Sequence, residues 1–229
     1  MTRLALTMRV VEEAAYAETR DALSHDWQRW ISGHEYGCAL VPNCIEEPSA
    51  FLGSLSVDGL ILTGGNDLVA GSAVPGSVSA QRTRTENELL KAAIDWSLPV
   101  FATCRGLHVV NAFFGGSLSA DLSQTRGGHH AHVNCTHPID ISPAFQPWAR
   151  SPALEVNSFH KQGFAEGQRG TGLTVIATSP TDGVVEGVVH DSYPIIAVQW
   201  HPERQNPAAA FDDILIQQLL ARGAFWCRA

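Results

Sequence analysis

The chain has 229 residues, 15 Lys+Arg against 23 Asp+Glu, 10 His and a formal net charge of −8. Apolar residues make up 45% and charged residues 17%, the profile of a packed globule and not of a disordered chain. The negative balance argues against nucleic acid or an anionic membrane as partner, because both demand a basic surface. A local cluster of arginines can still oppose it and hold an anionic small molecule.

The N-terminal run MTRLALTMRVVEEAAY is broken by Arg9, Glu12 and Glu13, so it is too short for a signal peptide. No apolar run approaches the ~18 residues that a membrane span needs. A soluble cytoplasmic protein is the expectation. The first strand is predicted at Leu4–Met8. A helix follows over Arg20–Ser32, with Leu23, Trp27, Trp30 and Ile31 at helical spacing. Strands are predicted at Cys38–Val41 and Val57–Leu62, the second stopping at Thr63-Gly64-Gly65-Asn66-Asp67. Val69–Ser79 is rich in Gly, Ser and Pro and reads as a surface loop.

Thr85–Trp96 is a predicted amphipathic helix, Pro99–Thr103 a strand and Gly106–Phe114 the helix after it. Beyond residue 115 the pattern turns β-rich, with strands at His132–Cys135, Glu155–Phe159, Leu173–Thr178, Gly183–His190 and Ile195–Gln199. A last helix covers Ala208–Arg222. The βαβα first half implies a parallel sheet with crossover helices, and the second half adds strands that run antiparallel at an edge. No linker divides the two, so residues 1–229 read as a single domain.

Five cysteines (Cys38, Cys44, Cys104, Cys135 and Cys227) are odd in number and lack a C-x-x-C spacing, which excludes a disulfide scaffold or paired-cysteine zinc site as the organising feature. Four of them read as packing residues. Cys104 differs, because Val100-Phe-Ala-Thr-Cys104-Arg-Gly106 runs from a buried strand straight into a helix. That is the context of a nucleophile elbow, a strained turn that lifts one side chain above the sheet. Ala102 stands where the elbow's first glycine is usual. A thiol at a helix N-terminus is favoured as thiolate, although a lone cysteine is equally a buried structural residue.

In Trp200-His201-Pro202-Glu203-Arg204, an extended chain would aim His201 and Glu203 to one side. The carboxylate then fixes the imidazole while the other ring nitrogen faces a thiol. Alone, the segment also reads as a solvated loop. Backbone N–H groups at Gly64-Gly65, together with that of Arg105, would make an oxyanion hole, or Gly64-Gly65 is an ordinary turn. Joined, the three segments point to cysteine-based acyl transfer.

LILTGGND, VFATCRGLHVVNAFFGGSL, VNSFHKQGF and AVQWHPER, in order over about residues 57–204, resemble the class I glutamine amidotransferase-like superfamily and its γ-glutamyl amide hydrolase branch, the γ-glutamyl-γ-aminobutyrate hydrolase family. The resemblance implies a flavodoxin-like α/β three-layer sandwich, with a mostly parallel central sheet and helices on both faces. It implies a Cys104–His201–Glu203 triad, a γ-glutamyl thioester on Cys104, and oxyanion donors at Gly65 and Arg105. The segment Val156-Asn157-Ser158-Phe159-His160 would line the glutamyl pocket beside Gly64. No cofactor is implied.

Two positions depart from that pattern. His108 stands where many relatives carry Gln, and the loop after Asn66-Asp67 lacks a further Asp and Pro. The stretches Leu6–Arg9 and Tyr16–Trp27 resemble a sub-branch found among surface-polysaccharide genes, whose members release glutamate and cytidine diphosphoramidate from γ-glutamyl-CDP-amidate. Arg9, Arg20 and Arg204 would supply cationic forks for its pyrophosphate; each also reads as a solvated or ion-paired surface residue. The expected partner is therefore a small γ-glutamyl substrate, nucleotide-linked in the favoured reading, with a homodimer compatible and neither nucleic acid nor membrane involved. The alternatives are γ-glutamyl-γ-aminobutyrate hydrolysis, a glutaminase subunit feeding ammonia to a synthetase, and a catalytically silent binding module.

His129, His130, His132, Cys135 and His137 invite a metal reading, since alternation would put His130 and His132 on one face. The resemblance implies a strand at the active-site rim there and no metal, which is the expectation taken.

Overall fold

A computed structural model describes residues 1–68, 79–119, 121–122 and 132–228, Arg228 by its backbone alone. Short apolar runs build the centre of the sheet. β1 (Arg3–Thr7), β4 (Gly37–Val41), β5 (Gly59–Leu62), β6 (Val100–Thr103) and β11 (Ile195–Val198) pair in the order β4-β1-β5-β6-β11, all parallel. β5, β6 and β11 are buried at every residue, as strands covered on both faces must be. The sheet continues through β10 (Val185–His190), β9 (Leu173–Thr178), β7 (Val133–Ile141) and β8 (Ala153–Phe159), each antiparallel to its neighbour.

The period-2 pleat sends alternate side chains to opposite cores. Leu4, Leu6 and Phe101 join one cluster with Trp27, Trp30, Phe211 and Leu215. Ala5, Val100 and Ala102 join the other, with Leu52, Leu89, Leu90 and Leu107. Hence α1 (His25–Gly33), α5 (Gln146–Ala149) and α6 (Ala209–Arg222) cover one face. α2 (Pro48–Ser54), α3 (Ala80–Asp95) and α4 (Arg105–Phe113) cover the other. This is the flavodoxin-like three-layer arrangement expected. Among the described residues, no helix is long and apolar enough to cross a membrane.

Several expectations are corrected. The helix predicted from Arg20 begins at His25, because the Ser24 hydroxyl accepts the Asp26 N–H at 3.2 Å and caps it. Residues before it form an antiparallel ribbon of β2 (Arg9–Glu13) and β3 (Glu18–Ala22). α2 was not foreseen, and β7 runs six residues past its predicted end. The four cysteines assigned to packing are not core residues: Cys38, Cys44 and Cys227 are exposed, and Cys135 is half-buried. Most of the predicted loop Val69–Ser79, with His129 and His130, lies outside the described residues.

Candidate active site

β5, β6 and β11 are adjacent and parallel, so their carboxyl ends open on one edge of the sheet. The first residues beyond those ends are the Thr63–Gly65 turn, Cys104 and, after a short turn, His201. Open α/β sheets bind ligands at this edge. Cys104 sits at φ +51°, ψ −106°, a conformation that L residues rarely adopt. It forms the cap of α4, whose first N–H groups, including that of Arg105, have no intrahelical acceptor. A Cβ at Gly106 would stand 2.4 Å from the Leu62 carbonyl oxygen, so only glycine lets α4 start so close to β5.

His201 and Glu203 meet, but not by the extended geometry the sequence suggested. β11 ends at Val198, and the Arg204 N–H donates to the His201 carbonyl at 3.2 Å, closing a turn. Within it, His201 Nδ1 donates to Glu203 Oε1 at 2.7 Å, which leaves Nε2 for the thiol. Asn157 clamps the backbone of the turn: its Oδ1 accepts the His201 N–H at 2.9 Å and its Nδ2 donates to the His201 carbonyl at 2.8 Å. Burial alone would raise the Cys104 thiol, yet the charge and hydrogen bond of His201, with the charge of His160, bring it below its ordinary value. Burial lowers His201, but the Cys104 thiolate and the Glu203 carboxylate outweigh that and raise it to about 9. His201 therefore stays protonated through neutrality, and its charge draws the Cys104 thiol toward the thiolate.

Opposite the thiol, a Cβ on Gly64 would lie 2.9 Å from His201 Cε1 and 3.5 Å from Cys104 Cβ. The turn is anchored from behind by Arg82, a residue the sequence reading passed over. Its guanidinium donates to the carbonyls of Thr63 (2.7 Å), Gly64 (3.1 Å) and Gly65 (2.8 Å). Because a trans peptide sets C=O and N–H on opposite sides, tying back the Gly64 carbonyl turns the Gly65 N–H the other way. Arg82 pairs with Glu86 at 2.9 Å, and Glu86 also pairs with Arg105. Burial lowers Arg82 to about 9, still above neutrality, so it keeps its charge. Arg82 and Glu86 lie on the buried stripe of α3 with Leu89 and Leu90, and charges at apolar helical spacing were the signal available for them.

The cleft between these elements encloses about 300 Å³. Of the predicted residues, Gly64, Gly65, Cys104, Arg105, His108, Phe159, His160, His201, Glu203, Arg9 and Arg204 line it. Arg204 lies over the Phe159 ring at 4.3 Å. Arg20 does not reach it: it sits on the exposed ribbon and pairs with Glu18 at 2.6 Å. Asn157 and Ser158 are buried behind the wall, Asn157 in its clamp and Ser158 Oγ donating to the His132 carbonyl at 2.8 Å. Burial lowers His108 to about 3, so it is neutral, bonded through Nε2 to Gln199 Oε1 at 2.8 Å. The reading missed Asp67, Lys161, Gln162 and Trp27, which also line the cleft. The β2–β3 ribbon overhangs one side, pinned where Asn66 exchanges hydrogen bonds of 2.9 Å with the backbone of Val10.

The family model for Peptidase C26 matches residues 7–203. The chain belongs to the Peptidase C26 family. It is 36% identical to the glutamine amidotransferase-like protein YvdE of Lactococcus lactis, over 68% of this chain and 70% of that one. It is 24% identical to the γ-glutamyl-CDP-amidate hydrolase of Campylobacter jejuni (89% and 90% covered) and 29% identical to the γ-glutamyl-γ-aminobutyrate hydrolase of Escherichia coli O157:H7 (77% and 76%). In fold it resembles a glutamine amidotransferase of Thermotoga maritima, with a TM-score of 0.62 and 14% identity over 99% of this chain and 92% of the other. A hydrolase of the glutamine amidotransferase-like group is what these findings support.

In this C26 chain the arrangement suits attack on a carbonyl carbon. A thiol drawn toward its thiolate faces the Gly64–Gly65 turn, and a protonated imidazole stands ready to give its proton to a leaving amine. Of the cations on the cleft wall, Arg105 shares the single Glu86 carboxylate with Arg82. Arg9, Lys161 and Arg204 face Asp67 and Glu203 on the same wall. Arg204 lies 3.9 Å from Glu203 and 4.0 Å from Asp26, so Arg9 and Lys161 are the cations left to oppose the chain's net charge of −8.

Proposed function

We propose that the chain hydrolyses a γ-glutamyl amide, with Cys104 as nucleophile, His201 as acid and base and Glu203 holding the imidazole. The observation that carries this reading is the strained Cys104 at the N-terminus of α4, between the Gly64–Gly65 turn and the His201–Glu203 pair. The Cys104 sulfur attacks the γ-carbonyl, and the oxyanion is held by the N–H groups of Gly65 and Arg105. His201 then protonates the leaving nitrogen as the C–N bond breaks, leaving a γ-glutamyl thioester. Water, deprotonated by His201, attacks the thioester and releases glutamate and the thiol.

The favoured substrate is γ-glutamyl-CDP-amidate, which would place the chain in the phosphoramidate branch of surface-polysaccharide synthesis. Two observations support that choice. Arg9 and Lys161 offer charge for a diphosphate that an aminobutyrate leaving group does not need. The Campylobacter hydrolase also aligns over 89% of the chain against 77% for the aminobutyrate hydrolase. His108 Nδ1, buried and without a partner, is a candidate acceptor for the glutamyl α-ammonium group.

The deciding assay is glutamate release by wild type and Cys104→Ala from γ-glutamyl-CDP-amidate, γ-glutamyl-γ-aminobutyrate and glutamine. Wild type should turn over the first fastest, and Cys104→Ala none. Equal release by both proteins would end the cysteine mechanism, and turnover of the second alone would reverse the substrate order.

A further inference from the structure

Behind the cleft wall, His132, His137, His160 and Glu186 bring four ligand atoms within 4.8 Å of one another. They come from three strands of the antiparallel half. His132 directly precedes β7, His137 lies on it, His160 directly follows β8 and Glu186 is on β10. The His160 N–H donates to the His132 carbonyl at 2.9 Å, so these two imidazoles start from paired positions. The β9–β10 register shifts around Glu186, an irregularity of the kind that re-aims a strand side chain. The Glu186 carboxylate thereby reaches all three rings, with Oε1 at 3.6 Å from His132 Nδ1, 3.7 Å from His137 Nε2 and 3.6 Å from His160 Nε2.

All four side chains are at least nine-tenths buried. His132 Nδ1, His137 Nε2, His160 Nε2 and both Glu186 oxygens lack any hydrogen-bond partner. Five converging buried polar atoms in so small a space are costly to leave facing one another with nothing between them. The outer nitrogen of each ring, by contrast, is satisfied. His132 Nε2 meets Asp182 Oδ2 at 2.8 Å, His137 Nδ1 the Pro138 carbonyl at 3.0 Å and His160 Nδ1 the Gln162 carbonyl at 2.9 Å. Each of these oxygens only accepts, so each outer nitrogen carries a hydrogen and each inner nitrogen presents a lone pair whenever its ring is neutral. Burial lowers His160 but the Glu186 carboxylate outweighs it, so His160 is the ring that gives up an inner proton when an ion enters. A single added proton could join one ring to the carboxylate and would leave the other two lone pairs facing it. Rings fixed by an outer hydrogen bond to a carboxylate or carbonyl are the arrangement of metal-bound histidines.

We propose that His132, His137, His160 and Glu186 hold a zinc ion. Three imidazoles and one carboxylate suit Zn²⁺ over Mg²⁺ or Ca²⁺, which prefer oxygen ligands. Bonds of ~2.0–2.2 Å place tetrahedral ligand atoms ~3.3–3.6 Å apart. The three separations from Glu186 Oε1, 3.6 to 3.7 Å, need to contract by a few tenths of an ångström. Those among the imidazole nitrogens, bounded at 4.8 Å, need to contract by up to roughly an ångström as the rings close on the ion. Four protein ligands close the coordination shell, so the role is structural. The ion ties β7, β8 and β10 together behind His160, which faces the cleft. This departs from the expectation of no metal, and the ligand set differs from the one the sequence suggested: His160 and Glu186 are remote in sequence from the His129–His137 cluster.

The experiment loads the full-length protein with ZnCl₂, removes excess metal by gel filtration and measures zinc by mass spectrometry. Wild type and Cys104→Ala should each retain one zinc per chain, whereas His137→Ala and Glu186→Gln should retain roughly tenfold less or lower. Chelation should lower the Tm of wild type and of Cys104→Ala. Co²⁺ should give the visible absorption of a tetrahedral site without a sulfur-to-cobalt band in the near ultraviolet, a readout that does not depend on the ligand variants folding. A wild type that retains no zinc overturns the proposal. So does zinc that persists in His137→Ala and Glu186→Gln, or a Co²⁺ spectrum with a thiolate band.

Discussion

Burial works against a thiolate at Cys104, so its lowered value depends on the neighbours that outweigh burial, His201 first. As pH rises, the reactive pair forms when the thiol ionises, below its ordinary range, and breaks when His201 loses its proton at about 9. The kcat/KM of glutamate release should therefore be bell-shaped, with its alkaline limb near pH 9. Both limbs belong to the coupled pair and not to either residue alone. The Glu203 carboxylate raises His201 by its charge and its hydrogen bond. Glu203→Gln should then move the alkaline limb to lower pH and reduce the rate by about 10²- to 10⁴-fold; an unmoved limb at full rate would remove Glu203 from the mechanism. Arg82 makes a different demand. A Lys ammonium at this position gathers its donors on one nitrogen and cannot span the Thr63, Gly64 and Gly65 carbonyls and Glu86 together, as the separate guanidinium nitrogens do. Arg82→Lys should lower kcat by about 10²-fold with little change in KM, the pattern of a lost transition-state donor. A raised KM at constant kcat would mean that the turn serves binding instead. Cys104, His201 and Glu203 could be read in the sequence because turn chemistry is local. Arg82 could not, because its acceptors lie 17–19 residues away on another element.

The elements most legible in the sequence were those whose burial is uniform or periodic, such as β5, β6, β11 and α6. The β2–β3 ribbon was not. Its residues are mostly polar and mostly exposed, with Val10 and Val11 adjacent and so on opposite faces, and it is held by Asn66 and by Asn43, which bonds Asp21 at 2.6 and 2.8 Å. The helix predicted from Arg20 went wrong for the same reason, since Leu23 and Trp27 continue its spacing while Ser24 sets where it can begin. The elbow is an element-scale device as well. α4 leaves β6 at an angle that puts Gly106 against the Leu62 carbonyl, so Gly106→Ala would drive a methyl group into rigid backbone at 2.4 Å. Relief requires shifting α4 or β5, and both carry the site. The variant should lose about 1–3 kcal/mol or more in chemical denaturation and lose glutamate release out of proportion to the folded fraction. Gly33→Ala, with nothing within 4 Å of its added methyl, is the matched control and should leave stability unchanged or slightly higher. Equal stability of the two variants would show that α4 is free to move.

At the scale of the whole molecule, a chain of net charge −8 should repel an anionic substrate at long range, whereas Arg9 and Lys161 attract it at the cleft. The global sign was legible from composition, and the local one only in part. Arg9 and Arg204 flank recognisable segments, but Lys161 enters the wall only because β8 delivers the residues after Phe159 to the carboxyl edge. These opposed fields differ in reach. The Debye length falls from ~14 Å at ~0.05 M salt to ~4 Å at ~0.5 M, so added salt screens the distant acidic residues first and then weakens the cleft cations, which act at contact. For a substrate carrying a diphosphate, contact attraction dominates at any salt where both fields are partly screened. KM should then rise several-fold between those concentrations while kcat stays within about twofold. Lys161→Ala should raise KM at low salt and flatten its salt dependence, because one of the charges being screened is gone. Glutamine, whose leaving group is ammonia, should show a much shallower rise in KM over the same range and little response to Lys161→Ala. A diphosphate substrate whose KM is flat in salt and indifferent to Lys161 would mean that the cleft cations face solvent and that the leaving group lies elsewhere on the rim.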